Sequence, residues 1–575
     1  MSTTKAGGHD QSRDARLIAT ALATLGLFLA YRQAADKPAL TAAALAVVLL
    51  LAGAVLWLRA RTQDLIARRH DPPRTGLVIG TIKGNWLLAK KRPYTLTWDS
   101  FRQHILITGP TGRGKSYGFI TPILKASLRR PKTGVLYLDG KGDPLPSGIK
   151  FDHLFTPDSP NTSARWNPLA GPDPIAAARS FADALFPTAS QPDAVYYEVR
   201  GAFAIRAVAP AIAYTGHCLD KPAAATLAEI RQQLIAAGLT PKDADHCLAN
   251  KGTGTCEDQL RWLPYRDRQD AEALLDYINS NNRPSPKLDE HLLMPKAAAA
   301  TVAALHQVLF TEGQLDELAD RLDSHLDKHA PDIARERLAV LATQIRSLAV
   351  MPQKERAGVL ANLENRLSVF LTPPFDRLCN SSDFDLQNIT AGASVGLLLP
   401  TGSFPGIAEP LGRTALAQFQ HAVLASTPDI TKVAVLDEFH NFVSPAFTKF
   451  LSQARSRGGA AVMSTQTIGD FDPDYRDRLL ANASTQILTP GALPFDADHW
   501  SQAFGAELTA QHSTSIQRRT LHDPTPIQTI RTDHRDMPRY TPTALSELAP
   551  GEAVIRQVSK RTQYPAVIVN VERRA

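Results

Sequence analysis

The chain opens on two apolar stretches and then changes character. Leu17 to Tyr31 (LIATALATLGLFLAY) and Pro38 to Trp57 (PALTAAALAVVLLLAGAVLW) contain no charged residue. At ~1.5 Å per residue, the 20 residues of the second stretch span ~30 Å, the thickness of a bilayer's hydrocarbon core; the 15 of the first reach ~22 Å. The polar link from Arg32 to Lys37 is too short to carry an extracytoplasmic domain. Arg59, Arg61, Arg68 and Arg69 follow the second stretch, as the positive-inside tendency requires. This pattern predicts a membrane anchor over residues 1–70 with two transmembrane helices, about 17–31 and 38–57, and both ends on the cytoplasmic side. A signal peptide is the alternative for the first stretch, with Lys5, Arg13 and Arg16 as its basic region.

After a basic stretch to about residue 93, short continuous apolar runs replace the long ones. His104 to Gly109 (HILITG) and Gly134 to Gly140 (GVLYLDG) flank a helical stretch and predict a β-α-β unit. Four similar runs come much later: Ser394 to Pro400, Lys432 to Glu438, Ala460 to Gln466 and Ser484 to Thr489. Runs of this kind are strands covered on both faces, the mark of a parallel sheet. Between the two groups the period is helical. Leu315, Leu318, Leu322 and Leu326, then Leu338, Leu341, Ile345 and Leu348, recur at i, i+3, i+7 spacing and predict the core face of a bundle. The final GEAVIRQVSKRTQYPAVIVNV predicts a strand pair. The layout expected is an α/β domain in two parts, 71–175 and 372–575, split by an all-α insertion over 176–371.

Composition narrows this only a little. With 575 residues the chain has room for about four domains at ~150 residues each. Hydrophobic residues are 44% and charged residues 21%, which argues against wholesale disorder. The net charge of +7 suits nucleic acid or an anionic membrane as partner, but part of it is the arginine cluster that topology already explains. Cys218, Cys247, Cys256 and Cys379 form no C-x-x-C pair, so neither a disulfide framework nor a zinc ribbon is expected.

The candidate chemistry begins where the first buried strand ends. Gly109-Pro110-Thr111-Gly112-Arg113-Gly114-Lys115-Ser116 matches G-x-x-x-x-G-K-[ST], between a predicted strand and a predicted helix. Glycines at that spacing let backbone N–H groups converge on phosphate oxygens at a helix N-terminus. Lys115 supplies positive charge to the β- and γ-phosphates, and the Ser116 hydroxyl is a ligand for Mg²⁺. Such a site needs ATP, which an exported chain would not meet, and this weighs against the signal peptide.

A phosphate loop needs an acidic partner at the tip of another buried strand. Val433 to Glu438 (VAVLDE) supplies one: Asp437 to hold Mg²⁺ through water, and Glu438 to polarise the attacking water as base. A helix start is the alternative for an isolated Asp-Glu pair. A small-molecule kinase is the alternative for the loop, but adjacent Asp-Glu on an inner strand favours an ATPase of RecA-like type. Further on, Ser444-Pro445 predicts a helix start with Ser444 as its cap, and Phe447, Phe450, Leu451 and Ala454 line one face. Gln466 ends the next strand, where it can hydrogen-bond the γ-phosphate or the water. Arg455, with Arg457 as the competing choice, stands where it can reach a neighbouring subunit's nucleotide.

Residues 109–143, GPTGRGKSYGFITPILKASLRRPKTGVLYLDGKGD, resemble the P-loop region of type IV secretion coupling proteins, the TraG/TraD-like conjugation ATPases. In that family the loop helix carries a proline, here Pro122, and the next strand ends in D-P-K-G-[DE]. Asp139-Gly140-Lys141-Gly142-Asp143 differs by Gly in place of Pro. RWNPL (Arg165 to Leu169), VLDEFHNF, QARSRGGAAVMSTQT and LLANASTQILT follow in the family's order. The resemblance implies a homo-hexameric, membrane-anchored motor of FtsK/HerA type in the bacterial inner membrane, with most of the chain cytoplasmic. It would use ATP and Mg²⁺ to feed a relaxase–DNA complex or a protein into a secretion channel. By the same resemblance Asp437 and Glu438 are the Walker B pair, Gln466 a sensor, Arg455 an arginine finger acting in trans, and the helical insertion a recognition domain. The hairpin link is shorter than the periplasmic segment of many members. Two alternatives stay open: a FtsK/HerA-like DNA translocase unconnected with secretion, and a nucleotide-binding substrate receptor that does not turn ATP over.

Overall fold

The computed structural model describes residues 76–83, 92–187, 192–218, 300–329, 332–517, 527–558 and 563–571, with single positions at 54 and 235. The two predicted transmembrane segments lie outside the described residues, apart from Ala54. Among the described residues no helix is long and apolar enough to cross a membrane.

In chain order the strands are β1 (Gly76–Ile82), β2 (Arg92–Thr97), β3 (Ile105–Thr108), β4 (Thr133–Asp139), β5 (His153–Phe155), β6 (Ser394–Leu398), β7 (Thr431–Asp437), β8 (Gly459–Thr465), β9 (Thr485–Leu488), β10 (Ala506–Gln517), β11 (Ile527–Pro538), β12 (Glu552–Val558) and β13 (Gln563–Val571). The longer helices are α1 (Thr121–Arg129), α2 (Pro174–Leu185), α3 (Pro192–Cys218), α4 (Val302–Phe310), α5 (Gln314–His329), α6 (Asp332–Ala349), α7 (Gln353–Leu367), α8 (Pro405–Ala425), α9 (Pro445–Ala454), α10 (Pro473–Asn482) and α11 (Pro494–Ala503). The described residues fall into two compact units, one drawn from Met1–Ala126 and Ala460–Ala575, the other from Ser127–Gly459.

In the first unit the strand order is β2-β1-β13-β12-β9-β3-β8. The centre is parallel: β3 pairs with both β8 and β9. All four residues of β3 and of β9, and all seven of β8, are buried, as expected for strands covered on both faces. The outer strands β12, β13, β1 and β2 are antiparallel to their neighbours. The expected C-terminal strand pair is β12 and β13. Strands β1 and β2 lie within the part expected over 71–175, ahead of its first apolar run at His104. Gly76 and Gly80 break the apolar pattern there for a steric reason: an added Cβ would lie 2.1 Å from the Leu96 carbonyl oxygen and 2.0 Å from that of Asn570. A separate ribbon, β10 paired with β11, runs 12 residues on each side, ~40 Å of mostly polar sequence.

The second unit has an all-parallel sheet in the order β7-β4-β6-β5. Helix α3 packs against α2 and against α4, α5, α6 and α7. Leu315, Leu318, Leu322, Leu338, Leu341, Ile345 and Leu348 are all buried there, as their helical spacing predicts. The RWNPL segment ties the chain together where it leaves for these helices and returns from them. Asn167 Nδ2 donates to the Ala300 carbonyl (2.9 Å) and the Asn167 amide to Ser382 Oγ (2.9 Å), while Asn167 Oδ1 accepts from the Leu169 amide (3.0 Å). Arg165 pairs with Asp383. Helix α9 begins at Pro445 as predicted and buries Phe447, Phe450, Leu451 and Ala454, but the Ser444 side chain makes no capping bond.

Candidate nucleotide site

In the first unit, β3 delivers the chain to the phosphate loop. Thr108 and Thr465 are register partners, and the Gly109 amide donates to the Thr465 carbonyl at 3.3 Å. Gly109, Gly112 and Gly114 have φ of 149°, 75° and 92°, a region that side chains disfavour. Around Gly112 and Gly114 there is open space, so glycine is needed for conformation alone. At Gly109 an added Cβ would also lie 2.0 Å from Thr489 Oγ1. Thr111, Gly112, Arg113 and Gly114 are exposed, whereas Lys115 is buried. Its ammonium donates to the carbonyls of Gly109 and Pro110, the latter at 3.1 Å, so the loop closes around its own cation. Ser116 starts a π-helical turn that ends at Ile120, where the Thr121 amide bonds back to the Ser116 carbonyl. Pro122 explains that wider turn: it has no N–H for the Gly118 carbonyl, and its ring crowds that position.

Gln466 follows Thr465 directly and is exposed at the end of β8 beside the loop. The turn after it is pinned from beneath. Thr467 Oγ1 donates to Asp496 Oδ1 (2.9 Å), which also accepts from the Ile468 amide (3.2 Å). Burial raises the Asp496 pKa. Neither Asp496 nor the Thr489-Pro490-Gly491 segment was among the predicted site residues. The Thr489 amide donates to the Thr108 carbonyl at 2.9 Å, and Gly491, with φ of 82°, faces Arg113. The strand-ending Pro-Gly was the signal available for that segment.

In the second unit, Asp437 ends β7 and Glu438 adopts a left-handed backbone (φ 53°, ψ 49°) that bulky residues avoid. Both are buried. Lys141 Nζ lies 2.9 Å from Glu438 Oε1 and 3.8 Å from Asp437 Oδ2, and His440 Nδ1 lies 3.5 Å from Glu438 Oε2. Asp139 is the register partner of Asp437. Burial, with the charges of Asp437 and Asp143, pushes its pKa up to about 7 against the opposing bond from the Lys141 amide (3.0 Å). Burial works against the Lys141 charge, but Asp437 and Glu438 outweigh it and raise the lysine's pKa.

Arg455 lies in this unit at the other end of the strands. It opens an exposed 3₁₀ turn, Arg455–Arg457. The Lys432 amide donates to the Gly458 carbonyl (2.9 Å), and the buried Lys432 ammonium donates to the carbonyls of Thr427 and Arg457. The turn therefore adjoins the start of β7, while Asp437 and Glu438 stand at its end, ~20 Å away at ~3.3 Å per residue. The structure does not bring Arg455 to the acidic pair of its own chain. Of the predicted residues, it brings together the loop with Gln466 in one unit, and Asp437 with Glu438 in the other.

Residues 432–549 match the family described as the TraM recognition site of TraD and TraG. No curated protein matches the chain. Among solved structures, the trigonal form of the bacterial conjugative coupling protein TrwBdeltaN70 in complex with sulphate is 13% identical, with a TM-score of 0.51; the match covers 88% of this chain and 92% of that one. The plasmid coupling protein TrwB in complex with ADP and Mg²⁺ is likewise 13% identical with a TM-score of 0.51, over 88% of this chain and 91% of that one. At that identity the likeness is one of fold: mixed α/β, with a large parallel sheet and a P-loop. Together the matches show the resemblance to type IV coupling proteins of the TraG/TraD type.

Proposed function

We propose that this chain is the coupling ATPase of a conjugative type IV secretion system: a homo-hexamer anchored in the bacterial inner membrane by residues 1–70. It hydrolyses ATP to drive a relaxase–DNA complex, a protein substrate or both into the secretion channel. Its catalytic domain is RecA-like and split by the helical segment. The observation that carries this reading is the Gly109–Ser116 loop, folded around a buried Lys115 at the end of a central parallel strand with Gln466 beside it.

Lys115 and the amides from Gly109 to Ser116 bind phosphate. Ser116 and Asp437 are the residues that would hold Mg²⁺, and their hard oxygen donors suit it; bound there, the ion would neutralise charge on the β- and γ-phosphates. Glu438 takes the proton of the attacking water, Gln466 orients that water against the γ-phosphate, and Arg455 serves a neighbouring subunit's site. The family matched over 432–549 is described by TraM recognition, so an accessory protein of the relaxosome is a partner proposed for that segment, in addition to the helical segment.

The test is Mg²⁺-dependent ATP hydrolysis by the full chain in detergent, with and without DNA. Hydrolysis that is abolished by Lys115→Ala and by Glu438→Gln supports the reading. Nucleotide binding without hydrolysis under every condition would instead make the chain a receptor.

A further inference from the structure

The lysine of the Asp139-Gly140-Lys141-Gly142-Asp143 segment has no role in the mechanism above, yet it is the cation set on the acidic pair. Asp437, Glu438 and Asp139 are each almost fully buried. Asp437 and Asp139 face each other across paired strands, and Glu438 adjoins Asp437 in the chain. Three carboxylates gathered out of water repel one another, and a cation within ion-pair distance offsets that repulsion. A general base must also face its water, and a carboxylate turned away from it is lost to catalysis. The ammonium of Lys141 lies 2.9 Å from Glu438 Oε1 and 3.8 Å from Asp437 Oδ2, close enough to fix where those oxygens stand.

The backbone around Lys141 is shaped for this placement. The Asp139 carboxylate accepts the Lys141 amide at 3.0 Å. The Gly140 amide donates to the Asp437 carbonyl at 3.3 Å, and the Gly140 carbonyl accepts from both the amide and the hydroxyl of Thr401. An added Cβ at Gly140 would come within 2.9 Å of Asn441 Nδ2 and 3.3 Å of Glu438 Cβ. Gly142 has φ of 71°, and a Cβ there would lie 2.6 Å from Pro400 Cβ. Glycines on both sides thus let the tip of β4 press against the tip of β7, with the lysine aimed at the glutamate. Glu438, in its left-handed conformation, is held by a charge on the segment that follows β4 as well as by its own backbone.

We propose that Lys141 is a positioning residue for the hydrolytic base: its ammonium pairs with the Glu438 carboxylate and holds it oriented toward the water that attacks the γ-phosphate. This rests on the ATPase reading above. Because Lys141 acts through Glu438, it governs turnover and not nucleotide affinity.

The experiment measures ATP hydrolysis and nucleotide binding by the full chain in detergent for Lys141→Met, Lys141→Arg, Glu438→Gln and the double variant Lys141→Met/Glu438→Gln. Thermal melting of the same set is recorded in EDTA without nucleotide. Lys141→Met lowers kcat by ~10- to 100-fold, within the range that a misplaced catalytic group costs, and KM for ATP stays within ~2-fold. Lys141→Arg, which keeps the charge, recovers most of the rate. In the Glu438→Gln background Lys141→Met has little further effect on the residual rate, and the two melting shifts are non-additive. A wild-type kcat in Lys141→Met, or equal losses in both backgrounds, overturns the proposal and leaves the ATPase reading intact. If the wild type does not hydrolyse ATP, the ATPase reading falls, and additive melting shifts then overturn the Lys141–Glu438 pairing as well.

Discussion

Thr108 and Thr465 face each other as the last register partners of two parallel strands. The phosphate loop leaves from the first and Gln466 from the second, so a loop and a residue more than 350 positions apart emerge side by side. The Gly109 amide, bonded to the Thr465 carbonyl, fastens the two exits together. In a parallel sheet all strand ends of one polarity share an edge, and this is why ligands gather there.

The three loop glycines differ in what they tolerate. Gly112→Ala meets open space and pays only for its left-handed backbone, about 1–2 kcal/mol. Gly109→Ala adds a clash with Thr489 Oγ1 and lowers the melting temperature further. Thr489→Ala combined with Gly109→Ala recovers part of that loss. Melting curves of the three variants check the order, and an equal shift for both single variants contradicts it.

Gly140 stands where the family pattern has proline. Gly140→Pro removes the N–H that bonds to the Asp437 carbonyl and pushes a ring toward Asn441 and Glu438. It therefore lowers both the melting temperature and the hydrolysis rate, and Gly140→Ala does so less. A Gly140→Pro protein as stable and active as the wild type would show that the strand tips are free to part.

Arg455 is remote from the acidic pair of its own chain, so the role proposed for it above has to be played on a neighbouring subunit. Arg455→Ala and Glu438→Gln are each expected to be inactive alone and to regain part of the activity when co-assembled, because some interfaces then join an intact Glu438 to an intact Arg455. Hydrolysis measured against mixing ratio reads this directly; no recovery at any ratio rules out the trans role. Lys432→Met, which frees the Arg457 carbonyl from its ammonium, weakens hydrolysis in the same direction without touching nucleotide binding.

Asp496 carries the turn after Gln466, and burial raises its pKa. A raised folded pKa means the native state holds the proton more tightly than the unfolded chain does. The stability from this group is complete below the ordinary carboxylate range and is lost as pH rises through the folded value. Asp496→Asn keeps the acceptor for Thr467 and Ile468 and removes the charge, so its melting temperature falls less than the wild type's between pH 4 and pH 8. The comparison is made by melting both proteins across that range, and parallel curves would count against it.

Several features were legible from local pattern alone. The loop from Gly109 to Ser116 was complete as written, because phosphate binding there depends on backbone conformations that only particular glycines supply. The buried strands announced themselves as unbroken apolar runs, since a strand covered on both faces has no polar side to show. Strand β1 did not, because its glycines answer to the carbonyls of Leu96 on the next strand and of Asn570, almost 500 residues along the chain. The β10–β11 ribbon carries only a faint alternation, Ala506, Leu508 and Ala510 at its start, in a sequence that is mostly polar.

What the sequence determined by itself was the kind of chemistry: a phosphate loop, an Asp-Glu pair on a buried strand, a glutamine at a strand end. Tertiary structure alone decided which residues serve them. Lys141 on Glu438, Asp496 beneath Gln466, Thr489 against Gly109 and Lys432 under the Arg455 turn all join elements that no periodicity links. Motifs are short because backbone geometry is local; charges and contacts act through space, and only the fold sets those distances.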